Sequence, residues 1–148
     1  MTTPERGAEA AVRCAFCATF NRVDLARAAD RPKCGECDRP MLLDRPVRVQ
    51  EEDFERTVLE ASVPVLVDFF ADWCAPCRMI APLVDKLALE HAGHVLVAKV
   101  DTDRAHGLAE RYQIRSIPTL VLFRDGREAG RSMGYEPEKL RALVSGAP

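Results

Sequence analysis

Six cysteines in this 148-residue chain form three pairs of the same spacing: Cys14 with Cys17, Cys34 with Cys37, and Cys74 with Cys77. Two thiols three residues apart can be half of a metal site, or a disulfide that opens and closes. The first four read C-x2-C, sixteen residues, C-x2-C, which is the spacing of a four-cysteine zinc ribbon. Each knuckle aims two sulfurs at one point, and four thiolates suit a tetrahedral zinc ion. Gly35 is expected to relax the second knuckle where the sulfurs converge. Two disulfides, four free thiols or an iron centre are the competing readings of the same pattern.

Cys74 and Cys77 are left over. They follow the apolar run "VPVLVDFFA" and stand where a helix begins. The unpaired N–H groups of a first helical turn, with the positive end of the helix dipole, stabilise a thiolate at Cys74. Cys77, at i+3, comes onto the same face, and Pro76 fits a first turn without losing a needed donor. His91 and His94 lie at the far end of this helix, too distant to complete a second metal site with the pair. They and His106 read as solvated surface residues.

The elements that must position these residues follow from the pattern. Residues 1 to about 12 show no clear periodicity and are expected to be a mobile arm. Residues 13–45 hold few large apolar side chains, so this stretch needs a metal or a neighbour to fold. Pro40 and Pro46 bracket its exit, which divides the chain into residues 1–45 and 46–148. After that "PVRVQ" alternates as a short strand, and "EEDFERTVLEAS" puts Phe54, Val58 and Leu59 on one helical face. "VPVLVDFFA" reads as a strand buried on both sides. A helix spans about Ala75 to His91 with Ile80, Leu83, Val84, Leu87 and Leu89 as its main apolar residues, and Pro82 predicts a kink. "HVLVAKVD" is the next strand, followed by a short helix capped by Asp103. A hairpin turns at Asp125-Gly126, and Pro137 opens a last helix. The order βαβαβαββα implies an α/β fold with a mixed sheet and helices on both faces.

Charge excludes one class of partner. Lys and Arg number 8 against 7 Asp and Glu before Pro46, and 13 against 16 from there on. Four thiolates around one dication add about −2 to the first part. Neither part is a nucleic-acid footprint. With no apolar run of signal-peptide or membrane-spanning length, the expectation is a cytoplasmic protein with no membrane partner, in a compartment where thiols persist.

Two segments carry a resemblance. "VLVDFFADWCAPCRMIAP" is similar to the active-site segment of the thioredoxin family, and "IRSIPTLVLFRDG" to the segment that closes the site, 41 residues from Cys77 to Pro118. With the four-cysteine module and the "NRV" after its first pair, the chain resembles the bacterial zinc-ribbon-bearing type, thioredoxin 2. The resemblance implies a thioredoxin fold, a central mixed β-sheet flanked by helices, behind a small zinc ribbon. It implies a protein-disulfide reductase with Cys74 as attacking thiolate, Cys77 as resolving thiol and Asp68 as buried proton acceptor. It further implies a cis Pro118 that frees the Ile117 backbone for an extended client, and a rim of Trp73, Pro76 and Gly134. Lys99 matches a lysine near the buried carboxylate. Thioredoxin reductase, drawing on NADPH, and disulfide-containing clients are the implied partners, and zinc on Cys14, Cys17, Cys34 and Cys37 is the one bound cofactor; the chain is read as a monomer. Two departures stand out: Ala75 where the family usually has glycine, and Phe70 where it usually has tryptophan. A reading of another class makes the ribbon a client-binding or oxidation-sensing module with the thioredoxin part as platform. A third makes the Cys74/Cys77 pair an oxidant or isomerase.

Overall fold

The computed structural model describes residues 9–146. Among the described residues, seven strands form two sheets. β1 (Glu9–Arg13) and β2 (Phe20–Asp24) make a small antiparallel ribbon. β3 (Val47–Arg48), β4 (Val65–Phe70), β5 (Leu96–Asp101), β6 (Thr119–Arg124) and β7 (Arg127–Met133) form a mixed sheet in the order β3-β5-β4-β6-β7. β4 is central: it runs parallel to β5 and antiparallel to β6, and all six of its residues are buried. That is what an unbroken apolar, β-branched run produces when both faces of a sheet are covered. The hairpin between β6 and β7 turns at Asp125 and Gly126, with φ of 55° and 78°, the two left-handed residues a tight hairpin requires.

Helices α1 (Ala75–Glu90) and α3 (Pro137–Ser145) cover one face. Ile80, Val84 and Leu87 from α1 and Leu140 and Val144 from α3 pack onto Leu66, Leu120 and Leu122. The spacing of these positions is the helical one, and each full burial stabilises by about 1.5–3 kcal/mol. α1 continues through Pro82. Leu89, counted among the apolar residues of this helix, is 61% exposed and faces away from that core.

The other face differs from the expectation. The segment read as one helix is a 3-10 turn, Glu51–Asp53, followed by a π-helical turn, Glu55–Leu59. Phe54 and Val58 are buried as their spacing implies, but apolar spacing over so few residues does not fix the hydrogen-bond register. The short helix α2 (His106–Arg111) lies on the same side, and its N-cap is Ala105 rather than Asp103. The rest of that face is covered by the cysteine-bearing module itself. Val12, Val23, Leu25, Met41 and Leu43 belong to one continuous apolar cluster with Phe54, Val58, Val67 and Phe123. The module therefore gains a core by borrowing the main sheet's second face.

Polar contacts fix this docking. The arm expected over residues 1–12 lies partly outside the described residues, but its end is β1, whose outer edge is occupied. Ser62 N–H donates to Glu9 O at 2.9 Å, and Thr57 Oγ1 donates to Ala11 O at 2.6 Å. Arg13 grips Asp53 with two hydrogen bonds, Nε to Oδ2 at 2.6 Å and Nη2 to Oδ1 at 3.0 Å, and donates from Nη1 to Ala18 O at 2.7 Å. The Phe20 ring lies under two guanidinium groups, Arg56 at 3.9 Å and Arg13 at 4.3 Å. A buried carboxylate in a forked pair is costly to break from one side, because the remaining charge stays desolvated. Asp53→Ala is expected to lower stability by about 1–3 kcal/mol, with Arg13 partly screened by solvent. Urea unfolding measures this, and an unchanged midpoint would show that the pair does not hold the module in place.

Candidate functional site: a helix-start disulfide and a four-cysteine cluster

β4 ends at Phe70, and four residues later the chain enters α1. Cys74 is the N-cap residue, extended at φ −87° and ψ 113°, with Ala75-Pro76 opening the first turn. Its Sγ accepts a hydrogen bond from Cys77 N–H at 3.1 Å, one of the donors a helix start leaves unpaired. Cys74 and Cys77 are joined as a disulfide with Cα atoms 5.2 Å apart. Both are buried against Phe70 and Ala71, with Ile117 packed on the group. Ile117–Pro118 is a cis peptide, and the Ile117 carbonyl oxygen lies 3.6 Å from Cys74 Sγ. Gly134, at φ 80°, donates its N–H to Pro118 O at 2.7 Å. The chain after β7 is thus tied to the loop before β6, beside the disulfide.

The surface around the pair is apolar. Trp73 is 68% exposed and Pro76 is exposed, while Ile117 and Gly134 are half-buried. Met79, Met133 and Tyr135 add three exposed apolar side chains that were not singled out from the sequence; Met79 and Met133 fall off the buried face of α1 and β7, and Tyr135 lies in the bend before α3. Trp73 Nε1 donates to Asp103 Oδ2 at 3.0 Å. Asp103 is therefore a tether for the indole instead of a helix cap. Sequence spacing hides this contact, because the two residues are 30 apart and meet only across the ends of the strands.

Asp68 lies on β4 behind the cysteines. It is 1% exposed, and neither carboxylate oxygen has a hydrogen-bond partner. Burial pushes its pKa up to about 6; Lys99 pulls the other way and Asp85 adds to the rise. Lys99 is the β5 neighbour of Asp68 in register, and its ammonium sits 4.5 Å above the Phe70 ring. Arg48 approaches the same ring at 5.2 Å. Phe70, where an indole is usual in the resembling family, thus presents a ring face to two cations.

The second centre lies on the other side of the molecule's sequence order. Cys14, Cys17, Cys34 and Cys37 place their four sulfurs within 4.8 Å of one another, the one such group of metal-ligating side chains among the described residues. Cys14 and Cys37 Sγ are 3.7 Å apart and Cys17 and Cys34 Sγ 3.6 Å. Sulfurs about 2.3 Å from a tetrahedral dication are separated by about 3.8 Å, so this set fits such an ion. The knuckles are built alike: Ala18 N–H donates to Cys14 O and Asp38 N–H to Cys34 O, both at 2.9 Å. The left-handed residues are Ala18 and Asp38, which follow each pair. Gly35 is not left-handed, and a side-chain carbon there meets only ordinary contact with Asn21, so the expected relaxation at Gly35 is not what shapes the knuckle. Asn21 joins the halves instead, accepting from Gly35 N–H at 2.9 Å and donating to Cys34 Sγ at 3.3 Å.

Cys34 and Cys37 are pushed in opposite directions by their surroundings. Hydrogen bonds from Cys37 N–H, the Asn21 amide and Glu36 N–H bring Cys34 down to about 6. Cys37, although Arg39 N–H favours its thiolate, is pushed up to about 11 by burial and by the neighbouring sulfurs. A dication removes that mutual repulsion. The three histidines join neither centre: His94 and His106 are exposed and His91 is half-buried.

Comparison with known proteins matches both centres. The family model described as Thioredoxin matches residues 45–146. The one described as Thioredoxin 2, N-terminal, a zinc-ribbon model, matches residues 13–39. The chain is 49% identical to thioredoxin 1 of Synechococcus elongatus over 90 residues, covering 61% of this chain and 84% of that protein. It is 37% identical to thioredoxin C-3 of Corynebacterium nephridii over 121 residues, 82% and 83% of the two chains. Thioredoxin C-2 of the same organism is 44% identical over 99 residues, 66% of this chain and 92% of its own.

The raised pKa of Asp68 has a sign. The carboxyl holds its proton to about pH 6 when folded but only to about pH 4 when unfolded, so stability falls as pH rises across that window and stays lower above it. Asp68→Asn is expected to remove the fall and to be more stable than the parent by about 2–3 kcal/mol at pH 8. Urea unfolding at pH 4 and pH 8 measures both, and parallel pH profiles for the two proteins would rule out an uncompensated buried charge.

Proposed function

Because the chain belongs to the thioredoxin family, its Cys74–Cys77 pair being a redox disulfide, we propose that Cys74 supplies the attacking thiolate of a protein-disulfide reductase. The observation that carries this is the Cys77 N–H aimed at Cys74 Sγ at a helix start, which favours a thiolate at that sulfur over one at Cys77. The thiolate attacks a client disulfide, and one client sulfur leaves with the electron pair of the broken bond. Cys77 then attacks the mixed disulfide, expels the second client sulfur and closes the intramolecular bond. Two electrons pass from the dithiol to the client. Asp68, unpartnered behind the pair and with a pKa of about 6, accepts the proton that Cys77 must lose.

The client lies as an added strand along the Ile117 backbone, whose carbonyl oxygen is 3.6 Å from Cys74 Sγ. Trp73, Pro76 and Gly134, joined by Met133, form the apolar rim around it. Thioredoxin reductase and NADPH return the pair to the dithiol. The protein works as a monomer in the cytoplasm; no helix among the described residues is long and apolar enough to cross a membrane.

Zinc is the metal that suits Cys14, Cys17, Cys34 and Cys37, since four thiolates at tetrahedral separations leave no open position. Bound there, it supplies folding free energy rather than catalysis. Residues 1–45 are an N-terminal arm and zinc ribbon and residues 46–148 a thioredoxin domain, a division supported by the apolar cluster in which the described parts of the two meet.

Insulin disulfide reduction with NADPH and a thioredoxin reductase tests the chemistry. Cys74→Ser is expected to abolish turnover, and Cys77→Ser to accumulate a mixed disulfide; full activity in Cys74→Ser would refute the assignment. A thiol count tests the rest. The metal-loaded, reduced protein is expected to expose two reactive thiols to a mild reagent, and denaturation with a chelator the other four. Six equally reactive native thiols would contradict the metal centre.

A further inference from the structure

Between α1 and α3 lies a groove of about 280 Å³ whose lining takes no part in the chemistry above. Met79 and Leu83 from α1 and Tyr135, just before α3, make its apolar wall. Met79 is 59% exposed and Tyr135 47%, so two large apolar side chains keep about half their surface in water. The charged part of the lining has one sign: Lys86 and Arg141, and no carboxylate. Arg141 has no ion pair among the described residues, and Lys86 has only a solvent-exposed contact with Glu90 at 3.8 Å. An exposed pair of that kind is worth little and yields to a better placed acid.

Position indicates the occupant. Met79 lies one turn, three residues, beyond the exposed rim residue Pro76 on the same face of α1, and Tyr135 follows Gly134, whose N–H holds the Pro118 carbonyl at 2.7 Å. The groove therefore continues the face on which a client disulfide is presented. From Met79 to Lys86 the helix rises about 10 Å, the length of about three extended residues. An apolar floor ending in two cations is complementary to an apolar side chain followed by a carboxylate.

We propose that this groove binds an apolar–acidic segment of the client protein, close to its disulfide in sequence. The client's apolar side chain lies between Met79 and Tyr135 and its carboxylate at Lys86 and Arg141. The proposal rests on the reductase reading and specifies which clients that reading favours.

The test uses the full-length, metal-loaded protein and two peptides with the same central disulfide, one flanked by Leu-Glu and one by Leu-Lys. Their reduction is compared with that of a small aromatic disulfide too short to reach the groove. The Leu-Glu peptide is expected to have a kcat/KM about five- to tenfold above the Leu-Lys peptide, with the preference lost in 0.5 M salt. Arg141→Glu is expected to reverse the order, and Met79→Lys to slow both peptides, while neither changes reduction of the small disulfide. Both side chains are exposed, so the fold tolerates the changes. Equal rates for the two peptides, or a preference that survives Arg141→Glu, would overturn the groove proposal with the reductase reading intact. Failure of the parent protein to reduce even the small disulfide would instead bring down the reductase reading, and the groove proposal with it.

Discussion

A strand buried on both faces has no surface of its own on which to place a polar group, and β4 is such a strand. Its interior acid, Asp68, gains no hydrogen bond in return for losing water. Its exit, where the chain must leave the core, is the helix start that carries Cys74 and Cys77. Both features descend from one constraint: the sheet has to be covered on each side, so the centre of β4 is dry and its end is the nearest exit. The site is a consequence of layering. Covering the strand leaves Asp68 short of solvation, and the same layers bring α1, the β5 end and the cis-proline loop to one edge.

The covering of the second face explains why the four-cysteine module is present at its particular place. α2 and the two short turns around Phe54 leave apolar surface on that side, and Val12, Met41 and Leu43 fill it. The module has too little apolar substance for a core of its own, and the sheet lacks a full second layer of helix. Each deficiency is met by the other part. Arg13, next to Cys14 of the four-cysteine cluster, makes the joint specific, because its fork matches the Asp53 carboxylate and its third donor reaches the first knuckle.

Much of this was legible before any coordinates. The period-two and period-3.6 patterns locate every strand of the main sheet and its two long helices, and cysteine spacing separates the four thiols that cluster from the two joined as a redox disulfide. What escaped detection was contact between parts distant in sequence. Asp103 looked like a helix cap because a cap is a local role, whereas its partner Trp73 is reached only across the sheet. Asp53 and Thr57 carry no signal of their own in a segment legible only by its apolar face; the strand they hold, β1, lies in a stretch too short and too alanine-rich to show a pattern. Gly35 drew attention by its type, yet the unusual backbone belongs to Ala18 and Asp38, which carry no glycine signal.

The edge contact between Glu9 and Ser62 has a mechanical meaning. The chain leaves the main domain near Pro46 and is fastened again at Ser62, so the cysteine module is anchored at both of its ends. A module held at one end is a tether that sweeps a volume and raises the local concentration of whatever it carries. Held at two, it sweeps almost nothing and behaves as a fixed plate on the back of the sheet. The four-cysteine cluster thus sits on the back of the sheet in a position set by the shared core and by these two attachments.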